Sequence, residues 1–134
     1  MVDYHIVSAH KNGECLANIA KVYNESVEPG CIIAIAGRSN GLGGALSANV
    51  NVPVINCPPF KDKVDIQLNI NSSLFMPSQT PALTAVYPEQ AAAAAVRCLN
   101  LQPMRTHVSG EIAKMKDELA KDDAMMRQEL NLCV

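Results

Sequence analysis

The chain has 134 residues, about the length of one domain, and 49% of them are hydrophobic, which is enough for a core. The 11 basic and 13 acidic residues nearly balance, which excludes a strongly basic nucleic-acid surface and a polyanionic tail as the main feature. The sequence has no apolar run of the roughly 18–20 residues that a membrane span needs, and it does not begin like a signal peptide. We therefore expect a single cytoplasmic domain, residues 1–134, that binds neither membranes nor nucleic acid.

The aromatic share is only 4%, without Trp, so the core must be aliphatic and alanine-rich. The five cysteines are an odd number, widely spread and without a C-x-x-C pair, and the three histidines add no metal-ligand spacing. We expect no disulfide, no metal site and no cofactor. Cys31 and Cys57 lie inside strand-like runs, where a small buried hydrophobic residue is the expected role.

The first predicted elements are a strand, a helix and a second strand. Residues 4–7 form a short β-prone run. Apolar residues then recur at the spacing of one helix face from Leu16 to Tyr23, and Pro29 ends this helix. The continuous apolar and β-branched run 31–36 predicts a parallel strand that is covered on both faces.

A glycine-rich loop at residues 37–44 follows and leads into a predicted helix at residues 45–48. Residues 52–57 form the next predicted strand, which two prolines end. Residues 61–74 are polar at first and then mixed, and we expect a loop and a short helix there.

The last predicted elements are a fourth strand and two helices. Residues 82–87 form the strand, and Pro88 starts an alanine-dense helix that runs to about residue 101. A charged helix at about 105–130 carries an apolar stripe, made of Val108, Ile112, Met115 and Leu119.

Strands that alternate with helices imply right-handed βαβ units and a parallel sheet. We expect a three-layer α/β sandwich with a mostly parallel, flavodoxin- or Rossmann-like sheet at about residues 4–101, followed by the long C-terminal helix. In such sheets ligands bind beyond the carboxyl ends of the strands. Residues 8–11 and 37–41 follow two predicted strands, so they line one crevice if those strands are neighbours.

The first of these loops carries His10 between Ser8 and Lys11. A histidine can both donate and accept a proton near pH 7, and a lysine is a point charge suited to phosphate or carboxylate. The alternative is purely structural, with a capping serine, a surface histidine and a solvated lysine.

The second loop combines glycines with Arg38. Glycines allow the backbone to approach a ligand closely, and the start of the following helix offers free N–H groups to an anion. The spacing fits neither the dinucleotide fingerprint nor the P-loop, and the chain lacks the G-x-S-x-G elbow of hydrolases. The alternative is a tight strand–helix turn without a ligand.

Several motifs together resemble one family. In order, they are Ser-Ala-His-Lys at 8–11, Ala-Gly-Arg-Ser-Asn-Gly-Leu-Gly at 36–43, Pro-Val-Ile-Asn-Cys-Pro-Pro at 53–59, Ser-Ser-Leu at 72–74 and Met-Pro-Ser at 76–78. This set resembles the class II phosphoribosylaminoimidazole carboxylases, the metazoan-type enzymes of purine synthesis, over about residues 4–101. In animals that domain is fused behind a SAICAR synthetase domain.

The resemblance implies reversible carboxylation of aminoimidazole ribonucleotide (AIR) by CO2 to 4-carboxy-AIR, without ATP, biotin or metal. It also implies a homo-octamer whose sites are built from several subunits. His10 is the residue expected to move the C4 proton. The expected substrate-binding residues come from both loops: Ser8, Ala9, Lys11, Ala36, Gly37, Arg38, Ser39, Asn40 and Gly41.

The sequence departs from the family pattern at two places. Family members begin with a strand and a glycine–serine loop that grips the ribose phosphate, whereas only three residues precede Tyr4 here, so we expect the first strand and the phosphate loop to be absent. Gln79 stands where members usually carry a glycine that tolerates positive φ. Two alternative functions follow: a non-catalytic nucleotide-binding or assembly module, and a different α/β nucleotide-binding protein.

Overall fold

The computed structural model describes residues 1–130, which fall into two compact units. The first unit, Met1–Leu99, alternates helices and strands in the order α1 (Gly13–Glu25), β1 (Ile32–Ala34), α2 (Gly41–Asn49), β2 (Val54–Asn56), α3 (Lys63–Leu74), β3 (Leu83–Thr84) and α4 (Pro88–Leu99). The second unit begins at Asn100 and contains α5 (Gln102–Glu129). The predicted α/β class with a long C-terminal helix is confirmed.

The strands form one parallel sheet in the order β1-β2-β3, with Ile32 opposite Val54 and Ile55 opposite Leu83. Helix α2 connects β1 to β2, and α3 connects β2 to β3. Each parallel pair is therefore joined by a helical crossover, as parallel strands require.

Helices cover both faces of this sheet. Leu16 of α1 and Leu46 of α2 pack with Val54 in one core cluster, whereas Ala91 of α4 packs with Ile55 in another. Because successive strand residues point to opposite faces, Val54 and Ile55 place the two clusters on opposite sides of β2. Ile55 is 0% exposed, and burial of such a side chain contributes about 1.5–3 kcal/mol. The result is the expected three-layer sandwich.

Local signals explain where two of the helices begin. Helix α4 begins at Pro88 as predicted, with Glu89 in the first turn, where a negative charge stabilises the positive end of the helix dipole. Helix α3 is longer than the short helix expected within residues 61–74. Its N-cap is Asp62, whose side chain accepts hydrogen bonds from the backbone N–H groups of residues 64 and 65 at 2.9 Å.

The predicted strand at residues 4–7 is wrong. These residues are extended or irregular and belong to no strand ladder of the described chain. Tyr4 is 89% and Ile6 is 100% exposed, while Val7 packs against the first core cluster. A β-prone sequence forms a strand only where a neighbour supplies hydrogen bonds, and the described residues provide none for this segment.

The remaining strands are shorter than their apolar runs. The runs 31–36, 52–57 and 82–87 contain strands of 3, 3 and 2 residues. Pro53 and Pro58 flank β2 and have no N–H to donate to a ladder. Only β2 is buried throughout, whereas Ile33 is 36%, Ile35 65% and Leu83 50% exposed, so the predicted cover on both faces of the run 31–36 is wrong. The apolar runs thus located the strands but overestimated both their burial and the length of the hydrogen-bonded ladder.

Helix α5 spans 28 residues and begins somewhat before the predicted start, with a proline in its first turn. None of its residues is buried, and Ile112, Met115 and Leu119 of the predicted stripe are exposed apolar side chains. Its intermixed charges form i,i+4 ion pairs, such as Lys121 with Asp117 at 2.6 Å. Neither α5 nor any other helix within residues 1–130 combines the length and the apolar composition needed to cross a bilayer.

The cysteines of the described chain are all free thiols: Cys15, Cys31, Cys57 and Cys98. Cys57 is buried as predicted, and Cys31 is only partly buried. Cys133 lies outside the described residues.

Candidate functional site

Two predicted loops line one cavity of about 150 Å³. The first loop contributes Ser8, Ala9 and His10, and the glycine-rich loop contributes Ala36, Gly37, Ser39 and Gly41. Val7, Ile35 and Leu42 complete the lining. The expectation that both loops line one crevice is therefore met for seven of the ten predicted site residues. Lys11, Arg38 and Asn40 do not line it.

The imidazole of His10 lies directly against Gly41, the first residue of α2. A Cβ atom built on Gly41 would lie 2.5 Å from Cε1 and 2.9 Å from Nε2 of His10. These distances are far below van der Waals contact, so this approach requires a glycine at residue 41. The sequence motif thus contains the glycine for a steric reason, namely that the histidine ring lies where a side chain would be.

A tight turn carries His10. The backbone oxygen of Ser8 accepts hydrogen bonds from the N–H groups of Lys11 and Asn12, and the Asn12 side-chain oxygen accepts one from the Ser8 N–H at 2.7 Å. Asn12 therefore ties the two ends of the turn together immediately before α1. Lys11 is exposed beside the cavity, where its charge is free to meet an anion.

The glycine-rich loop contains two non-glycine residues in the left-handed conformation, Arg38 at φ 60° and Asn40 at φ 36°. The Asn40 side chain caps α2, because its oxygen accepts a hydrogen bond from the Gly43 N–H at 3.1 Å. Its amide nitrogen donates to Ser73 Oγ at 2.9 Å. Asn40 is buried, so its side chain supports the loop from inside the protein.

Arg38 is held through its backbone and presents its side chain to solvent. Its N–H donates to Asn69 Oδ1 at 2.9 Å, and its carbonyl oxygen accepts from the hydroxyl of Ser72. The guanidinium lies 4.0 Å from Asp65, with 81% of the side chain exposed. An exposed pair of this kind contributes at most about 1 kcal/mol, so it competes only weakly with an anionic ligand for the guanidinium.

The first turn of α2 also lies directly on the sheet. A Cβ on Gly43 would be 1.9 Å from the side-chain oxygen of Asn56, a fully buried residue of β2. The Asn56 amide nitrogen donates to the carbonyl oxygen of Ser73 at 3.4 Å, while its oxygen has no hydrogen-bond partner among residues 1–130. Gly43 thus permits the helix to start close to the carboxyl end of β2.

Sequence analysis missed Asn69 as a support of this site, and it gave no site role to Asn56 and Ser73, although both lie in the quoted motifs 53–59 and 72–74. Asn69, Ser72 and Ser73 have the spacing of one helix face, so a polar stripe on a partly buried helix was the available signal. Its partners could not be identified in advance, because Asn69 and Arg38 are 31 residues apart in the chain.

A larger open groove of about 450 Å³ lies along residues 74–82. Its lining residues include no titratable side chain, whereas the smaller cavity is lined by His10. Gln79, where the resemblance leads us to expect a glycine in family members, lines this groove and itself adopts the left-handed conformation at φ 60°.

The thiols of Cys31 and Cys57 are not part of the cavity lining. Burial, with a smaller contribution from neighbouring Cys98, raises the pKa of Cys31 to about 12. Burial followed by the charge of Glu89 also raises the pKa of Cys57. Both thiols therefore stay protonated at neutral pH. Within residues 1–130, no three His, Cys, Asp or Glu side chains cluster as a set of metal ligands.

Comparison with known proteins gives consistent matches. A family model described as AIR carboxylase matches residues 1–122. The bifunctional phosphoribosylaminoimidazole carboxylase/phosphoribosylaminoimidazole succinocarboxamide synthetase of Drosophila melanogaster is 42% identical over 100 residues, which are 75% of this chain and 23% of that protein. The chain thus spans less than a quarter of this relative.

Two matches come from Treponema denticola. Its phosphoribosylaminoimidazole carboxylase is 32% identical over 125 residues, which cover 92% of this chain and 78% of that protein. The solved structure of Treponema denticola PurE superposes with a TM-score of 0.80 at 32% identity, and the match covers 90% of this chain and 77% of that one.

Proposed function

The chain belongs to the AIR carboxylase family, and we propose that it catalyses the reversible, ATP-independent carboxylation of AIR by CO2 to 4-carboxy-AIR in purine biosynthesis. The observation that carries this proposal is the cavity in which His10 lies against the first residue of α2. This arrangement supports the proposal, because the His10 imidazole lies beside the start of α2, whose backbone N–H groups suit a carboxylate.

In the proposed reaction, C4 of the electron-rich aminoimidazole attacks the carbon of CO2. A new C–C bond forms, and one C=O electron pair of CO2 becomes the charge of the carboxylate. His10 then accepts the C4 proton, and the electron pair of the C4–H bond restores the aromatic ring. In reverse, protonated His10 returns the proton to C4, and CO2 leaves with cleavage of the C–C bond.

The start of α2 supports the carboxylate in this proposal. The first N–H groups of a helix have no intrahelical partner, and those of Gly41 and Leu42 belong to residues that line the cavity. Such N–H groups stabilise developing negative charge without reorganising during the reaction. Ala36, Gly37 and Ser39 form the rest of the proposed CO2 and carboxylate wall.

Charged groups around the cavity are proposed to bind the nucleotide. Lys11 and Arg38 are exposed next to residues of the lining, and neither is consumed by a strong ion pair among the described residues. Ser8 lines the cavity and is proposed to contact the substrate with its hydroxyl. The proposed nucleotide site thus combines two exposed cations with the wall of the cavity.

The test of this function is CO2-dependent consumption of AIR by the purified chain, followed by the absorbance of the imidazole product. His10→Asn should abolish turnover and leave the melting temperature unchanged, because His10 is exposed. His107→Asn, an exposed histidine on α5, is the matched control and should retain turnover. Full activity in His10→Asn would refute the role of His10 as proton carrier.

A cytoplasmic homo-oligomer, an octamer by family resemblance, is part of the same proposal. The support from this chain is the exposed apolar stripe of α5, with Ile112, Met115 and Leu119 on a helix that has no buried residue. A lone helix with an apolar stripe gains most of its stability from packing that stripe. Light scattering should give the mass of an oligomer, and a monomer at micromolar concentration would contradict it.

A further inference from the structure

The left-handed residues of the glycine-rich loop need an external restraint. Arg38 and Asn40 both have positive φ, two residues apart, and neither is a glycine. Side chains disfavour this conformation, which persists only where the surrounding structure holds it. The restraint must act directly before Gly41, on which the His10 ring lies.

The restraint comes from one face of α3. Asn69 accepts the N–H of Arg38 at 2.9 Å, and Ser72 donates its hydroxyl to the carbonyl oxygen of the same residue. One residue further along the helix, Ser73 accepts from the Asn40 side chain at 2.9 Å. Both left-handed residues are thus held from the same helix, which we call the α3 clamp: Asn69, Ser72 and Ser73.

Two of the three clamp side chains are sheltered from water, whereas Ser72 is partly exposed. Asn69 is 4% and Ser73 is 1% exposed, so water does not readily replace their hydrogen bonds to the loop. The Ser73 carbonyl oxygen also accepts from Asn56 of β2 and from Thr84 of β3. The clamp is therefore anchored to the sheet, and it holds the loop at a fixed place relative to the strand ends.

We propose that Asn69 is a positioning residue for the carboxylation site, acting through the Arg38 backbone to set where α2 begins under His10. The effect of Asn69 on catalysis rests on the proposed function, whereas the position of the loop can be measured without any substrate. Loss of the Asn69 oxygen leaves the Arg38 N–H unpaired and frees the loop to leave the left-handed conformation. The His10 imidazole and the first N–H groups of α2 then no longer keep their relative positions.

The experiment compares Asn69→Ala, Asn69→Asp and Asn71→Ala. Asp retains an oxygen acceptor for the Arg38 N–H, and Asn71 is an exposed asparagine of the same helix that makes no side-chain hydrogen bond to the loop in the described structure. Amide hydrogen exchange of residues 38–42 reports the loop directly, and kcat and KM for AIR report the site. Ser72→Ala serves as a second, milder variant if Asn69→Ala does not fold.

We expect faster exchange at residues 38–42 in Asn69→Ala and a fall in kcat of roughly tenfold or more with a smaller change in KM. Asn69→Asp should recover most of both, and Asn71→Ala should match the parent chain. Unchanged loop exchange in Asn69→Ala and Ser72→Ala would overturn the inference. Faster exchange in Asn69→Ala, together with a parent chain that never turns over AIR, would instead refute the proposed function and support the clamp.

Discussion

Replacement of Gly41 by alanine should move the His10 ring without destabilising the fold. The added Cβ would lie 2.5 Å from Cε1, 2.9 Å from Nε2 and 3.3 Å from Nδ1 of His10. Ordinary carbon contacts begin at about 3.5 Å, so the imidazole must withdraw by about 1 Å. The displaced group is the end of an exposed side chain, which moves without disturbing the core.

Gly41→Ala should change the stability of the fold little and the rate of the reaction strongly. Gly41 does not have positive φ, and alanine is favoured over glycine in helices, so the free energy of unfolding should stay the same or rise by up to about 1 kcal/mol. A catalytic group displaced by about 1 Å costs on the order of 100-fold in rate, which corresponds to about 2.7 kcal/mol of transition-state stabilisation. The variant should therefore be stable and nearly inactive.

The assay measures kcat/KM for AIR together with thermal unfolding. Gly110→Ala is the matched control, because a Cβ at Gly110 meets no atom within 4 Å in α5. It should be fully active and equally or more stable. A Gly41→Ala variant with the kcat/KM of the parent chain would refute the reasoning that the His10 ring must lie against Gly41 for catalysis.

Three further predictions concern stability. Gly43→Ala should lower the free energy of unfolding, measured by urea denaturation, by about 2–3 kcal/mol, because its Cβ would lie 1.9 Å from the buried Asn56 oxygen. Gly13→Ala is the control, because the space around its Cβ is open. Equal stability of the two variants would contradict the contact between residue 43 and Asn56. Gln79→Gly should raise the free energy of unfolding by about 0.5–1 kcal/mol, because it relieves the left-handed strain at φ 60° and this gain exceeds the entropic cost of glycine. A lower melting temperature of the variant would show that Gln79 is not strained. Burial raises the pKa of Cys31 to about 12, so above about pH 8.5 the unfolded chain loses this proton before the folded chain does, and stability should fall as pH rises toward 12. Cys31→Ala should flatten that slope, and an unchanged slope would exclude this thiol as its source.

Short-range signals predicted several features of the fold correctly. Pro88 followed by an acidic residue identified the start of α4, and the alanine-dense segment after it forms the predicted helix, which packs on the sheet. The apolar runs located the three strands, although only β2 is buried throughout and the ladders are shorter than the runs. These features depend on propensity, capping and periodicity within a few residues, which a sequence displays directly.

Pairings between distant segments were less predictable. Residues 4–7 have the composition of a strand, yet they lie outside the ladder because composition does not supply a hydrogen-bonding neighbour. The polar residues of α3 were visible in the sequence, but their role depends on a loop more than 30 residues earlier.

The sequence by itself determined the α/β alternation, the family and the two loops that form the cavity, since each follows from a local pattern or an ordered set of motifs. Only the tertiary structure decided that His10 lies on Gly41, that α3 holds Arg38 and Asn40 in the left-handed conformation, and that residues 4–7 join no strand ladder within residues 1–130. The physical reason is that periodicity encodes which residues are buried, whereas the identity of their contacts depends on the path of the whole chain.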